Sequence, residues 1–480
     1  MTAVLPARFE LEAAELARGG GRLADMFAAG QDPVTLHLVW ALDGERRYVI
    51  TSCEISGEEY PSLSDLAPAA FLEECEIYEQ FGIRPANGRP LNRVVLPPHA
   101  GPGFPRLGRQ PEQEPAELRA AHTVGGHAFE FPFGPVRQVG VESLYYGLVT
   151  SGEEMVDLYL FTWHKHRGLE WRLQGQDPRA ALFTVERAEG LSAVAMGWAF
   201  AAAVEAAAGL EPAADVQRTR AVALELERLY NHAAATAALC AATGLSVGQS
   251  AAEIVLEKLL RLNAAAFGHR YLFGVLDTGG TRRAPDAEVL RTELPRVHDE
   301  LRRAASALLA TNSFADRLEA TGIVTAEQAG RLGLVGPVAR ASGIAIDTRL
   351  TQPSPPYASH PPAIAVRKTG DVLARFEVMQ DEAAESVRLI GELLDAGTAS
   401  GGTEPPARAG SGLGWAESSR GEALAWVRLD DRGQIARARL RPASVRNWRG
   451  FDDACRSQNV FTDVPIIEAS FWLTVAGMAR

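Results

Sequence analysis

Residues 222–233 read Val-Ala-Leu-Glu-Leu-Glu-Arg-Leu-Tyr-Asn-His-Ala, and this stretch decides the fold class of the larger part of the chain. Its apolar residues Val222, Leu226 and Leu229 recur three and four positions apart, which is the spacing of one face of an α-helix. Long segments rich in Ala, Leu and Glu lie on both sides of it. The pattern predicts a helical bundle with this helix in the core.

The same helix carries a polar stripe beside its apolar face. Glu225, Arg228 and His232 are three and four residues apart, so their side chains line up and can form one hydrogen-bonded network. His232 can carry a proton near neutral pH. A buried arginine with a glutamate partner can equally be structural. Both interpretations stay open for this stripe.

A second histidine–arginine pair, His269-Arg270, lies in Phe-Gly-His-Arg-Tyr at the end of another predicted helix. Such cationic donors can face an anionic cluster or a quinone carbonyl in a partly dry site. The alternative is an ordinary salt bridge. His164 and His166, two residues apart, can share a metal only if the segment is extended and supplies further ligands.

Short strand patterns surround the helical part. Apolar runs at residues 34–42 and 46–51 flank Asp43-Gly44, and runs at 423–429 and 434–440 flank a turn ending in Gly433, so two hairpins are expected. Further helices are expected at residues 8–30 and 62–81. The second should end at Gly82, since glycine commonly terminates helices.

Residues 97–117 are rich in proline, glycine and charge, which is typical of a connection between domains. We therefore predict an α+β fold with a small α+β domain at residues 1–98 and a linker at 99–122. A mainly α-helical bundle domain with small β elements is expected at residues 123–480.

Composition narrows the possible partners and location. The net charge of −12 over 480 residues argues against a nucleic-acid surface, which would be concentrated and basic. Glu10, Glu12 and Glu15 interrupt the first possible apolar run, so no secretory signal is expected and the protein should be cytoplasmic. The apolar tract 191–210 contains Glu205 and is expected to be a buried helix rather than a membrane span.

Four cysteines lie far apart and form no C-x-x-C pair, so neither a disulfide framework nor a local cluster motif is indicated. The chain also contains no Walker loop, G-x-G-x-x-G turn between strand and helix, G-x-S-x-G elbow or H-E-x-x-H motif. These absences remove the local support for nucleotide, serine-hydrolase and zinc-protease chemistry.

A family resemblance is carried first by residues 74–83, Glu-Cys-Glu-Ile-Tyr-Glu-Gln-Phe-Gly-Ile. This segment resembles the signature of the 30 kDa subunit of respiratory complex I. Several later blocks follow the order of the complex I 49 kDa subunit and of the large subunit of formate-hydrogenlyase-type membrane-bound nickel–iron hydrogenases. These blocks are Phe133–Pro135, His166–Glu170, Val185–Arg187, Glu225–His232, Asn263–Tyr271 with Gly279-Gly280, Gly333–Gly343, Gly370–Val372 with Ala374–Phe376, and Arg420–Glu422.

The chain departs from the hydrogenase pattern at the metal ligands. The resemblance places two C-x-x-C pairs around the nickel–iron centre, and soft thiolates are not replaced by carboxylates or hydroxyls. Glu189 and Ser192 stand where the first pair belongs, and the histidine usual just after it is Met196. No second pair follows Gly477 before the sequence ends at Arg480, so a nickel–iron centre is expected to be absent.

In complex I the related subunit has also lost the metals, and its vacated cavity forms part of a quinone site beside an iron–sulfur cluster held by a neighbouring subunit. The loop that supplies the quinone-facing histidine there corresponds to residues 134–145, which contain no histidine. Arg137, Glu142 and Tyr145 are the candidate quinone contacts in this chain. The chain itself is expected to bind no cofactor.

The resemblance implies an electron-transfer subunit next to a partner's iron–sulfur cluster, with Arg167, His232, His269 and Arg270 setting the local field and proton supply. The expected partners are an iron–sulfur small subunit and integral membrane subunits, with the chain peripheral to the inner face of the membrane. The alternative functions are a non-catalytic assembly scaffold of a hydrogenase-like complex and an active hydrogenase.

Overall fold

The computed structural model describes residues 6–86, 88–101, 103–115, 128–137, 142–456 and 458–480. Its first unit is an antiparallel sheet of order β1-β2-β3 packed against two helices. The elements are α1 (Pro6–Arg18), β1 (Arg22–Ala29), β2 (Val34–Leu42), β3 (Arg47–Ile55), β4 (Glu59–Tyr60), α2 (Phe71–Phe81) and β5 (Arg84–Pro85). The predicted hairpin across Asp43-Gly44 is confirmed by the pairing of β2 with β3.

The two helix predictions for this unit were only partly right. The expected helix at residues 8–30 ends at Arg18, because the run Gly19-Gly20-Gly21 breaks it and the following residues pair with β2 as strand β1. The helix expected from residue 62 begins at Phe71, after the turn at Pro68. It does end at Gly82, whose φ of 68° is the left-handed conformation that favours glycine.

The second unit is a helical core with three small sheets, so the α+β fold class is confirmed. Its strands are β6 (Ala128–Phe133), β7 (Tyr145–Ser151), β8 (Glu154–Phe161), β9 (Leu276–Asp277), β10 (Gly280–Thr281), β11 (Gly401–Gly402), β12 (Gly410–Ser418), β13 (Gly421–Leu429) and β14 (Ile435–Arg441). Its helices are α3 (Leu169–Leu173), α4 (Pro178–Val185), α5 (Ala193–Ala208), α6 (Ala214–Ala242), α7 (Ser246–Phe267), α8 (Ala287–Leu309), α9 (Asn312–Leu318), α10 (Ala326–Leu332), α11 (Gly336–Ala341), α12 (Thr348–Thr351), α13 (Pro355–Ser359), α14 (Val372–Asp395), α15 (Ala443–Arg456) and α16 (Val464–Phe471).

Strand β12 lies directly on helix α5. Its alternate residues Gly410, Gly412 and Gly414 face the backbone of the helix so closely that a Cβ on any of them would meet a helix carbonyl oxygen. Only glycine permits this approach. The contact holds the sheet β12-β13-β14 over the apolar helix α5, most of whose residues are buried.

Helix α5 contains most of the apolar tract that the sequence analysis considered as a possible membrane span. The window Gly190–Ala208 is the one stretch of the described chain that is long and apolar enough to cross a membrane, and 83% of it is buried inside the fold. A core helix passes the same test. The Glu205 carboxylate is paired with Arg220 at 2.6 Å, so its charge is compensated within the protein.

The two units meet through buried ion pairs. Acidic residues of the first unit, on β1 and α2, contact arginines of the last part of the second unit. Arg439 lies 2.9 Å from Asp25 and 2.6 Å from Glu76, and Arg446 lies 3.1 Å from Glu73. All five residues are at most 8% exposed. We call this set, with Arg480 that lies 2.5 Å from Glu76, the interdomain ion pairs.

The segment predicted as a linker begins by packing on the first unit. Arg106 donates to the carbonyl of Glu79 and, at 2.8 Å, to Glu114, while the Tyr78 hydroxyl donates to the carbonyl of Gln113 at 2.6 Å. Residues 99–101 and 103–115 therefore follow helix α2 closely. Residues 116–122 of the predicted linker lie outside the described residues, and the domain boundary stays a prediction.

Candidate functional site

Helix α6, which the opening sequence pattern predicts, is the central wall of the site. Its Glu227 contacts the first turn of α5, and Asn231 contacts the loop before it. Glu225, Arg228 and His232 form their contacts on the other side, with helices that follow in the chain. The predicted polar stripe is confirmed, since Arg228 Nε donates to Glu225 Oε2 at 3.1 Å. The helix thus borders two separate buried polar clusters.

The first cluster occupies the loop at which the resemblance places a pair of metal-binding cysteines. Arg420 Nη2 donates to Ser192 Oγ at 2.6 Å and lies 3.2 Å from Glu189 Oε2. The other carboxylate oxygen, Glu189 Oε1, accepts a hydrogen bond from the Ser444 hydroxyl. All four side chains are at most 2% exposed. We call Glu189, Ser192, Arg420 and Ser444 the loop cluster.

Glu227 supports the loop cluster from helix α6. Its carboxylate accepts hydrogen bonds from the backbone N–H groups of Val194 at 2.6 Å and Ala195 at 3.1 Å, at the start of α5. Burial raises the pKa of Glu227 to about 8, although these two amides and Arg420 act against the shift. The group is therefore a mixture of protonated and ionised forms near neutral pH.

The loop cluster does not fit a nickel–iron centre. It offers one carboxylate, two hydroxyls and a guanidinium, whereas such a centre needs soft thiolates, and the guanidinium charge repels a metal cation. The four cysteines are buried elsewhere, and burial raises the pKa of each thiol. No group of three or more His, Cys, Asp or Glu in the described parts of the chain is placed to hold a metal ion.

Arg167 holds the loop to the C-terminal segment. Its guanidinium donates to the carbonyl oxygens of Arg187 at 3.0 Å, Ala476 at 2.7 Å and Ala479 at 3.3 Å, and also to that of Ala188. Burial lowers the pKa of Arg167. A cation hydrogen-bonded to carbonyl oxygens keeps its full charge, so Arg167 places positive charge beside the loop.

The second cluster is an ionic network on the other side of α6. His232 Nε2 lies 3.0 Å from Glu382 Oε2 on α14, and both side chains are at most 3% exposed. Burial lowers the pKa of His232, against the opposing hydrogen bond and charge of Glu382, and so favours the neutral imidazole. The structure thus gives His232 a hydrogen-bond partner in Glu382, but its burial disfavours the protonated form.

We define the ionic network by its charged members and His232, each of which is at most 3% exposed. They are Glu225, Arg228, His232, Arg340, Asp347, Arg349, Glu382 and Glu417. The Tyr357 and Ser386 hydroxyls add hydrogen bonds of 2.5 and 2.7 Å to Glu225. The network joins α6 to β12 and to the region from α11 to α14.

The other predicted pair, His269-Arg270, lies near the surface at the end of α7. Arg270 forms an exposed salt bridge of 2.6 Å with Glu257. His269 lines a cleft of about 260 Å³ together with Glu186 and Arg187, next to the loop cluster. Burial raises the pKa of Glu186 to about 7. The structure thus brings His269 toward the loop, whereas Arg270 has an ordinary salt-bridge partner.

The three candidate quinone contacts are already engaged or exposed. Arg137 binds Glu468 with two contacts of 2.9 Å, and Glu142 accepts hydrogen bonds from Thr474 Oγ1 at 2.6 Å and from the N–H of Val475 at 2.8 Å. Tyr145 donates to Glu130 at 3.1 Å on the strand surface. Residues 138–141 of this loop lie outside the described residues. The quinone site stays a prediction.

Sequence reasoning did not single out most residues of the two clusters. Arg340 and Arg420 stood in blocks that carried the resemblance, but not as site residues. The available signal was a charged side chain within an apolar run, as in Pro-Val-Ala-Arg-Ala around Arg340. Such a residue is buried and must find partners, yet the sequence does not say which ones.

Two family descriptions match separate parts of the chain. "Respiratory-chain NADH dehydrogenase, 30 Kd subunit" matches residues 12–112, and "Respiratory-chain NADH dehydrogenase, 49 Kd subunit" matches residues 254–401. The first match covers the small α+β unit together with the segment packed on α2. The second covers the region from α7 to α14, which contains four members of the ionic network.

Two curated relatives align with large parts of the chain. Formate hydrogenlyase subunit 5 of Escherichia coli (strain K12) is 28% identical over 452 residues, which cover 89% of this chain and 78% of that protein. An NADH-quinone oxidoreductase subunit of Myxococcus xanthus (strain DK1622) is 30% identical over 256 residues, or 51% of this chain and 60% of that protein.

A solved structure shows the same fold. A chain of the membrane-bound sulfane sulfur reductase, described as an archaeal respiratory membrane complex, superposes with a TM-score of 0.69 at 23% identity. The likeness covers 75% of this chain and all of the other. At this level of identity the comparison concerns the arrangement of helices and strands.

Proposed function

We propose that this chain, which joins regions matching the 30 kDa and 49 kDa subunits of respiratory-chain NADH dehydrogenase in one polypeptide, belongs to a membrane-associated oxidoreductase complex. Its role in the proposal is electron transfer beside an iron–sulfur cluster held by a partner subunit. The observation that carries the proposal is this fusion, together with the similarity to a formate hydrogenlyase component along 89% of the chain.

The two buried clusters support a passive electrostatic role rather than chemistry at a metal. The loop cluster has an ion pair where hydrogenases of this type hold nickel and iron, and Arg167 adds a cation hydrogen-bonded to carbonyl oxygens. Positive charge in a dry site stabilises an added electron nearby. The proposal places the chain at the inner face of the membrane, held there by membrane-embedded partner subunits.

The metal content of the purified complex tests the proposal directly. We expect iron and acid-labile sulfide from the partner's cluster, and no nickel, because the loop cluster lacks thiolates. Elemental analysis of the complex, purified through a tag on this chain, makes the measurement. Nickel in a one-to-one ratio with the chain would contradict both the proposal and the assignment of the loop cluster.

The alternative is an assembly scaffold without a part in electron flow. Its support is that Arg167 and the interdomain ion pairs are engaged in holding segments together. A substitution in the ionic network separates the two roles, because only an electron-transfer subunit should respond in rate when assembly is unchanged.

We expect His232→Gln to slow electron flux through the complex by about tenfold, comparable to the smaller losses seen when a hydrogen-bond partner of a metal ligand is removed. Gln keeps a donor near Glu382, so the fold should tolerate the change. His298→Gln on helix α8 is the matched control and should leave the flux unchanged. Equal flux in both variants, with normal assembly by size-exclusion chromatography, would favour the scaffold.

A further inference from the structure

The ionic network contains an unequal number of opposite charges. It holds three arginines and four carboxylates, and burial, with Arg228 and Arg340 nearby, lowers the pKa of His232 and so favours its neutral form. With every carboxyl ionised the network would carry a net charge of −1 in a region no more than 3% exposed. An uncompensated buried charge is strongly unfavourable, so the network is expected to hold one proton.

The contacts single out the carboxyl that is least compensated. Glu225 lies within salt-bridge distance of Arg228 and Arg349, and Asp347 of Arg340 and Arg349. Each of these carboxylates therefore has two arginine partners.

Glu382 is even better compensated than the first two. It contacts Arg340 at 2.7 Å, Arg228 at 3.7 Å and the imidazole of His232. Within the described chain Glu417 has a single arginine in salt-bridge contact, Arg340 at 2.9 Å, and that arginine also serves Asp347 and Glu382. The geometry therefore makes Glu417 the site at which a proton is least costly.

Glu417 has a hydrogen-bonding environment that accepts both protonation states. Its Oε2 atom lies 3.1 Å from the N–H of Thr348 and 2.9 Å from the Thr348 hydroxyl. The hydroxyl donates to an ionised carboxylate and can turn to accept a hydrogen bond from a protonated one. No backbone movement is needed for the change.

The carboxyl also lines a small cavity close to the protein surface. The cavity measures about 10 Å³, room for about one water molecule, and its polar lining includes Thr348, Gln352 and Ser354. Ser354 and the cavity residue Trp415 are only half-buried. A single water there would lie between Glu417 and these half-buried residues.

We propose that Glu417 is a proton-binding site, which holds the one proton of the ionic network and exchanges it with solvent through the cavity at Gln352 and Ser354. Burial raises the pKa of Glu417, and the neighbouring Asp347 carboxylate raises it further. Arg340, Arg228 and Arg349 act in the opposite direction. Glu225, Glu382 and His232 are the remaining titratable members of the network; the two glutamates contact the same arginines, and His232 contacts Glu382. Proton uptake here on arrival of an electron nearby is a consequence that rests on the proposed function, but the proton site itself does not.

Infrared spectroscopy of the full-length chain tests the site without any electron transfer. A protonated buried carboxyl gives a carbonyl stretching band that an ionised one lacks. We expect one component of this band to disappear as the pH is raised, and to be absent at every pH in Glu417→Gln. Glu227→Gln is the matched control, since Glu227 is another buried carboxyl with a raised pKa and should account for a different component.

A second variant keeps the test decisive if Glu417→Gln folds poorly. Thr348→Val removes the hydroxyl beside Glu417 and should shift the frequency of the same component without removing it. An unchanged band in both variants would overturn the proposal, and so would a band component lost in His232→Gln but not in Glu417→Gln.

Stability provides an independent measurement with a defined sign. Because folding raises the pKa of Glu417, the native chain loses stability as pH rises from the unfolded pKa through the folded one. Glu417→Gln has no proton to lose, so its melting temperature should exceed that of the native chain increasingly as pH rises, and match it at low pH. A difference that shrinks with rising pH would also overturn the proposal.

Discussion

Arg340→Met is expected to lower the free energy of unfolding by about 3–5 kcal/mol, the cost of removing one partner from a buried ion pair. The arginine is fully buried and contacts Glu382, Asp347 and Glu417 at 2.7, 3.3 and 2.9 Å. Its removal leaves Glu417 without that cationic partner. The loss should grow with pH, because a carboxyl deprived of its cation stays protonated, and therefore harmless, in mildly acidic solution.

The matched control is Arg367→Met, which also removes an arginine bound to two carboxylates, Glu377 and Asp381. These groups are 34% to 50% exposed, so water screens their interaction and the change should be worth at most about 1 kcal/mol. Urea denaturation of both variants at neutral and mildly acidic pH makes the comparison. Equal losses in the two would show that the ionic network does not stabilise the second unit.

Arg439→Met is the second substitution with a large expected effect, again about 3–5 kcal/mol. This arginine pairs with Asp25 and Glu76 across the boundary between the two units and is 3% exposed. We expect the first unit to separate from the second at a lower temperature, so that calorimetry should show two transitions for the variant and a single merged one for the native chain.

The control for this change is Arg109→Met, which removes an ion pair of 3.7 Å with Glu58 on the surface of the first unit. Both groups are about half exposed, so little stability should be lost. A single transition with unchanged midpoint in Arg439→Met would mean that apolar packing alone holds the two units together.

The elements that could be predicted from the sequence are those specified by residues close together in the chain. The spacing of Val222, Leu226 and Leu229 predicted helix α6, and Asp43-Gly44 predicted the turn between β2 and β3, because periodicity and turn chemistry act within a few residues. Strand β1 was missed. Its residues 22–29 carry a mixed pattern, and they form a strand because β2 lies beside them, which is tertiary information.

For each interaction in the site, the sequence predicted only one of the two partners. The polar stripe on α6 named Glu225, Arg228 and His232 correctly as one network, but their partners Glu382, Arg349 and Glu417 lie more than a hundred residues away. The replacement of metal ligands by Glu189 and Ser192 was visible in the sequence. The binding of Arg420 to both residues could not be predicted, because Arg420 lies 228 residues after Ser192 in the sequence.

The acidic residues at the start of the 74–83 signature and just before it have a role that the sequence alone does not reveal. Glu76 lies within the segment 74–83 that carries the family resemblance, and Glu73 is the residue just before that segment. In the structure both glutamates form ion pairs with arginines from the last part of the chain. Neither half can be interpreted without the other, because isolated charges predict only exposure.

The two partners of each interdomain ion pair lie far apart in the sequence, so they are synthesised at different times. Glu76 leaves the ribosome long before Arg439, and at roughly 5–20 residues per second the delay is about 20 to 70 seconds. Throughout that interval the first unit carries carboxylates whose cations do not yet exist. The contacts between the two units therefore form only after the C-terminal strands have been made.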